Sequence, residues 1–178
     1  MADLHIEIRD AVLHDIEQIA SLWRHYVTTT IVNLEETPPT TRQVRTSLDS
    51  IFARNYPFIV ATDGTTICGY AYIGPFNDRS GYRFCCEDSI YLHPDYTGKG
   101  VGKRLLGELL QRVKSNTQMT QVLAKISLGP GAELREVPSC RLHQSFGFWE
   151  AGRMKRVGFK FGEWLDVVIL QLDLKDSV

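Results

Sequence analysis

The chain has 178 residues, 43% hydrophobic and 23% charged, a balance that suits one compact domain (residues 1–178) with its own apolar core. A formal net charge of -1 gives no overall pull toward nucleic acid or an anionic membrane, so neither is an expected partner. Cys68, Cys85, Cys86 and Cys140 form no CxxC pair and take no zinc-finger spacing with the histidines, so no metal site or disulfide framework is expected.

In chain order, Met1 to Arg9 has no basic start and no long apolar run. Neither a secretory signal nor a membrane span is expected there, and a reducing, cytoplasmic setting is the default. Ile6 and Ile8 alternate with polar neighbours as a short strand, and Ile16, Ile19, Trp23, Tyr26 and Val27 then recur at helical spacing. Asn33 to Thr40, with Pro38 and Pro39, reads as a loop before a second helix carrying Val44, Leu48, Ile51 and Phe52.

Phe58 to Thr62 and Ile67 to Ile73 are β-rich runs separated by Asp63-Gly64, a dipeptide that favours a tight turn, which predicts an antiparallel hairpin. A third strand is predicted from Tyr82 to Leu92, ending at His93-Pro94 because proline cannot donate to a ladder. Its length makes it central. Thr97-Gly98-Lys99-Gly100-Val101-Gly102 follows, and then Leu105, Leu106, Leu109, Leu110 and Val113 mark a helix opened by a glycine loop. Beyond it, Gln121 to Ser127 reads as a strand, Ser139 to Ser145 as a short helix and Trp164 to Leu172 as a final strand.

Glycines at 98, 100 and 102 allow backbone shapes closed to other residues and let a ligand approach the main chain. At a helix start, unpaired N–H groups and the positive end of the dipole attract phosphate, with Lys99, Lys103 and Arg104 adding charge. A plain turn is the alternative. The pattern fits neither the Walker loop, GxxxxGK[ST], nor the dinucleotide loop, GxGxxG, which disfavours ATP and NAD.

What the segment resembles is the acyl-CoA loop Q/R-x-x-G-x-G/A of the GNAT acetyltransferases, with Thr97 in place of Gln or Arg. Further blocks occur in order: Asn33-Leu34-Glu35-Glu36-Thr37-Pro38, Gly69 to Pro75, Glu87-Asp88-Ser89-Ile90-Tyr91 and Gly158 to Val167. Together they are similar to the phosphinothricin N-acetyltransferases over roughly Ile6 to Leu172. The resemblance implies an α/β GNAT fold: a central twisted mixed sheet flanked by helices, with two neighbouring parallel strands, Tyr82 to Leu92 and Gln121 to Ser127, splayed around the cofactor arm. It implies acetyl-CoA as co-substrate, backbone groups of Tyr91 and Leu92 on the arm and acetyl carbonyl, and Thr97, Gly98, Lys99, Gly100, Val101, Gly102 and Lys103 around the pyrophosphate. A homodimer is common in such a family.

An amine attacks a thioester only through a free lone pair, so a base or a water chain must take its proton. Glu87, at the family's glutamate position, is the first candidate, against a solvated carboxylate at a strand end. His143 is the second. It lies in Pro138-Ser139-Cys140-Arg141-Leu142-His143, which resembles the family block P-S-x-R-x-H, and a neutral imidazole there accepts or relays a proton or simply packs in the core. Ser139 is a hydrogen-bond donor candidate for the arm, whereas Glu136 replaces the block's usual asparagine.

For the acceptor, Arg79 and Tyr82 fall on family positions that contact substrate, and a guanidinium fork suits a carboxylate or phosphinate. Leu34 replaces an aromatic residue in the pocket wall. The expected activity is transfer of acetyl from acetyl-CoA to the amine of a small amino-acid-like acceptor of the phosphinothricin, methionine sulfoximine or methionine sulfone type. The alternatives are a protein or peptide N-acetyltransferase and a catalytically silent acetyl-CoA-binding module. Cys85-Cys86 is a less favoured nucleophile, because direct transfer needs no covalent intermediate.

Overall fold

The computed structural model describes residues 5 to 175. Its strands are β1 (Ile6–Asp10), β2 (Phe58–Asp63), β3 (Thr66–Pro75), β4 (Cys85–Leu92), β5 (Gln121–Leu128), β6 (Trp149–Lys160) and β7 (Glu163–Asp173). Its helices are α1 (Ile16–Thr29), α2 (Thr41–Ala53), α3 (Val101–Asn116) and α4 (Pro138–Gln144). The strands form one mixed sheet in the order β1-β2-β3-β4-β5-β7-β6. Among the described residues no helix is long and apolar enough to cross a membrane.

The chain groups into two compact units. The first comprises the chain up to Arg24, Pro39–Gly74 and Asp88–Gln118. Its inner strand β2 is buried from Phe58 to Thr62, as a strand covered on both faces must be, and both α2 and α3 pack on it. Helix α2 starts directly after Pro38-Pro39 because Thr40 and Gln43 cap each other: Thr40 Oγ1 accepts the Gln43 N–H and Gln43 Oε1 accepts the Thr40 N–H. In α3, Val101, Leu105, Leu106, Leu109, Leu110 and Val113 are all buried, each contributing roughly 1.5 to 3 kcal/mol of apolar transfer free energy. Phe58 and Tyr72 stack with centroids 4.9 Å apart, and Tyr70 and Trp23 extend that aromatic layer.

The second unit comprises His25–Pro38, Pro75–Glu87 and the chain from Met119 onward. Here β5 and β7 pair antiparallel over their whole shared length, from Gln121↔Asp173 to Leu128↔Asp166, and supply most of its buried aliphatic residues. The parallel pair β4 and β5 is registered from Cys85↔Gln121 to Glu87↔Leu123.

Two expectations need correction. The strand predicted from Tyr82 begins at Cys85, because Ser80–Tyr82 closes a 3₁₀ turn in which the Tyr82 N–H donates to Arg79 O and the Arg83 N–H to Ser80 O. The long strand β6 was not predicted at all. Most of it is exposed, and its register shifts at Glu150/Gly152 and Met154/Gly158, so no run of alternating apolar residues marks it. At the second shift Arg156 takes a φ of 55°, and its N–H donates to Asp166 Oδ1 at 2.9 Å.

Candidate active site

The glycine loop lies in the first unit. Pro94–Tyr96 makes a 3₁₀ turn after β4, closed by Thr97, whose Oγ1 donates to Pro94 O at 2.8 Å. Gly98 and Gly100 then take φ values of 71° and 81°, in the left-handed region where a Cβ is strained. Gly100 is the N-cap of α3; having no side chain, it leaves the amides of Val101, Gly102 and Lys103 without a side-chain cap. Three uncapped N–H groups at the positive end of a 16-residue helix form an anion-binding geometry.

The charged residues around the loop divide by use. Lys99 holds its ammonium 5.5 Å from the Tyr96 ring centroid, and Lys103 is exposed. Arg104 does not join them: its Nη2 donates to Ile6 O at 2.8 Å, tying α3 to β1. Upstream, a Cβ on Gly69 would stand 2.7 Å from Tyr91 O and 2.6 Å from Leu92 Cδ2. Only glycine lets β3 come this close to the stretch of β4 where the cofactor arm is expected. Tyr91 also packs against Tyr70, with centroids 5.1 Å apart, and Asp88 is buried.

The second unit holds the other candidates. Glu87 Oε2 lies 2.6 Å from Lys125 Nζ, with the two side chains 28% and 37% exposed. The register explains the meeting. Glu87 pairs with Leu123, and Lys125, two residues further on, projects from the same face of the sheet. Lys125 Nζ also stands 5.8 Å from the Phe76 ring centroid, and Phe76 meets Tyr82 edge-on with centroids 5.4 Å apart. One carboxylate, one ammonium and two aromatic rings therefore form a continuous, partly open cluster.

Arg79 begins the turn that ends at Tyr82. Its N–H donates to Asn77 Oδ1 at 3.0 Å, and its side chain is exposed. Leu34 lies against β6, with Cδ1 3.0 Å from where a Cβ on Gly158 would stand. Its neighbour Asn33 accepts a bond from buried Lys160. Burial pushes the Lys160 ammonium below the usual lysine range, with Glu35 and Glu36 opposing the shift.

His143 is 2% exposed on α4. Its Nδ1 lies 2.7 Å from Ser139 O, and since a carbonyl oxygen only accepts, Nδ1 carries the hydrogen of that bond. Phe148 meets the ring edge-on at 5.0 Å. Glu136 ends the 3₁₀ turn Leu134–Glu136, and its carboxylate accepts the Glu133 N–H. Burial, and then the Glu87 charge, push the Cys85 thiol above its ordinary value, so it is a poor source of thiolate.

The structure thus brings Glu87 and Tyr82 into one cluster and joins His143 to Ser139. Residue-level reading missed Lys125, Phe76 and Gly69. For Lys125 the signal was available, a lone cation between Ala124 and Ile126 in a mostly apolar strand. Finding its partner required the parallel register.

The family model described as the acetyltransferase (GNAT) family matches residues 19–148. A phosphinothricin N-acetyltransferase from Alcaligenes faecalis is 36% identical over 160 residues, covering 90% of this chain and 78% of that protein. An L-methionine sulfoximine/L-methionine sulfone acetyltransferase from Pseudomonas aeruginosa is 34% identical over 168 residues, covering 94% of each. The crystal structure of a phosphinothricin acetyltransferase from Sinorhizobium meliloti in complex with acetyl-CoA superposes with a TM-score of 0.86 at 37% identity, covering 94% of this chain and 88% of that one. With a glycine loop opening a helix, a mixed sheet with a parallel β4/β5 pair, and a family model matched across most of its length, the chain belongs to the acetyltransferase (GNAT) family.

Proposed function

We propose that this protein is an acetyl-CoA-dependent N-acetyltransferase whose acceptor is a small amino-acid-like amine of the phosphinothricin, methionine sulfoximine or methionine sulfone type. The observation that carries the reading is the half-buried carboxylate of Glu87, set beside the Phe76 and Tyr82 rings of the segment that the family resemblance assigns to the acceptor. Both units belong to one N-acetyltransferase domain in this reading, and the working form is a cytoplasmic homodimer.

Acetyl-CoA supplies an activated acyl group with a thiolate leaving group. The amides at the start of α3, with Gly98, Lys99, Gly100 and Lys103, hold its pyrophosphate, and the tilted backbone at Gly98 and Gly100 leaves room for the oxygens. Backbone groups of Tyr91 and Leu92 bond the pantetheine arm and polarise the acetyl carbonyl; Ser139 is a further donor to the arm. Glu87 takes a proton from the acceptor ammonium, directly or through water, which frees the lone pair for attack. The amine nitrogen bonds to the carbonyl carbon, the C–S bond breaks, and the proton the nitrogen sheds passes, directly or through water, to the leaving thiolate. His143 assists through Nε2, Arg79 recognises the acceptor's acidic group, and Tyr82 and Leu34 line the pocket.

The test is release of free thiol from acetyl-CoA with phosphinothricin, methionine sulfoximine, methionine sulfone, other amino acids, polyamines and short peptides offered in parallel. Turnover on the amino acid analogues is expected. Turnover confined to peptides moves the acceptor to a protein terminus, and none on any amine leaves a silent binding module.

A further inference from the structure

We propose that Lys125 is the residue that selects an acceptor carrying a carboxylate next to its amine, because the Glu87–Lys125 pair is the mirror of an α-amino acid's two charges. The inference rests on the reading that Glu87 faces the acceptor amine.

The carboxylate of Glu87 is already satisfied by an ammonium, that of Lys125 at 2.6 Å. An acceptor ammonium is the same chemical group, so it competes with Lys125 for Glu87. A plain amine that wins this contest leaves Lys125 without its counter-ion. An α-amino acid does not, because its carboxylate oxygens lie about 3 Å from its ammonium nitrogen by standard bond lengths. That spacing matches the gap between Glu87 Oε2 and Lys125 Nζ. The pair opens and re-forms as two ion pairs, ammonium to Glu87 and carboxylate to Lys125, with no charge left over.

Three features favour this exchange. Both side chains are about one-third exposed, so the pair is within reach of a ligand and is screened enough to open. Lys125 rises from β5 where Ile169 of β7 pairs with it, so its backbone is anchored while its four-carbon stem is not. Phe76, 5.8 Å from the ammonium and edge-on to Tyr82, walls one side of the pair with apolar surface, which suits an acceptor side chain. Arg79 lies on the loop rather than on the sheet and is left for a more distant acidic or polar group of the acceptor.

The experiment compares kcat/KM for L-methionine sulfone and for its carboxamide, which keeps the amine and side chain but lacks the carboxylate charge, in the parent, Lys125→Met and Lys125→Arg. The parent is expected to prefer the acid. In Lys125→Met the acid-to-amide ratio falls about tenfold, the low end for losing a charge-assisted contact at a half-exposed site, and the loss appears mainly in KM for the acid. Lys125→Arg restores most of the ratio. An unchanged ratio overturns the proposal. An equal loss on both acceptors, with a moved acidic limb in the pH profile, also overturns it and makes Lys125 a positioning residue for Glu87. Glu87→Gln separates the two readings: near-parental kcat on both acceptors refutes the base and leaves the Lys125 ratio to be judged by itself.

Discussion

Replacing Glu87 with glutamine tests the proton-transfer step with little disturbance of the fold. The substitution preserves size and removes basicity. Its cost in stability is small, because the ion pair it weakens has side chains 28% and 37% exposed, and such pairs contribute about 0.2 to 1 kcal/mol. For a chain of this length that corresponds to a fall in Tm of no more than about 4 °C. Loss of a general base, by contrast, lowers kcat by about 10²-fold to 10⁴-fold, or roughly 2.7 to 5.5 kcal/mol of transition-state stabilisation. The two effects differ enough to be read separately. Steady-state kinetics with saturating acetyl-CoA, thermal unfolding and a pH profile of kcat/KM make up the assay. The expected result is a large fall in kcat, retained acetyl-CoA binding and a flattened acidic limb. His143→Ala is expected to cost less in kcat but more in stability, since it removes a buried ring that bonds Ser139 O and packs on Phe148. A Glu87→Gln enzyme with parental rate and limb, beside a folded but inactive His143→Ala enzyme, would refute the assignment and transfer the base to His143.

Gly100→Val places a β-branched residue at a φ of 81°, so acetyl-CoA should no longer raise Tm, whereas it should raise that of the parent; ATP and NAD should do so in neither. Arg79→Ala should raise the acceptor KM roughly tenfold or more while leaving acetyl-CoA affinity in place, as expected for loss of a charge-assisted contact of about 1.5 to 3 kcal/mol; parallel changes in both constants would make Arg79 structural. Asp15→Asn should destabilise the fold by about 1.5 to 3 kcal/mol, measured by denaturant unfolding, because the 3% exposed carboxylate accepts two bonds from Arg9 and one from the Val12 N–H. Burial pushes that carboxyl up, but the Arg9 and Val12 bonds more than reverse it, so its folded value is depressed. Its contribution is complete above the unfolded value near 4 and is lost as pH falls through the folded value; the gap between variant and parent should therefore close in acid.

Much of the architecture was legible along the chain because it depends on local periodicity and local backbone chemistry. The α3 stripe from Val101 to Val113, the hairpin with Gly64 at its tip and the stop of β4 before Pro94 all follow from residue order. So does the glycine loop, since glycine permits the left-handed φ that Gly98 and Gly100 take. Ordered blocks such as Pro138 to His143 pointed to the family for the same reason: their information is in spacing.

Tertiary structure decided what depends on register and on neighbours remote in the chain. Strand β6 was invisible because an exposed strand with two register shifts carries no alternation, and only its pairing with β7 defines it. Arg104 read as a phosphate-binding cation until its bond to Ile6 O, 98 residues away, assigned it to the fold. Nothing near Glu87 in sequence announces Lys125. The parallel pairing of Glu87 with Leu123 brings that ammonium onto the same face of the sheet, and a charge meets its counter-charge there only because two strands separated by a whole helix lie side by side.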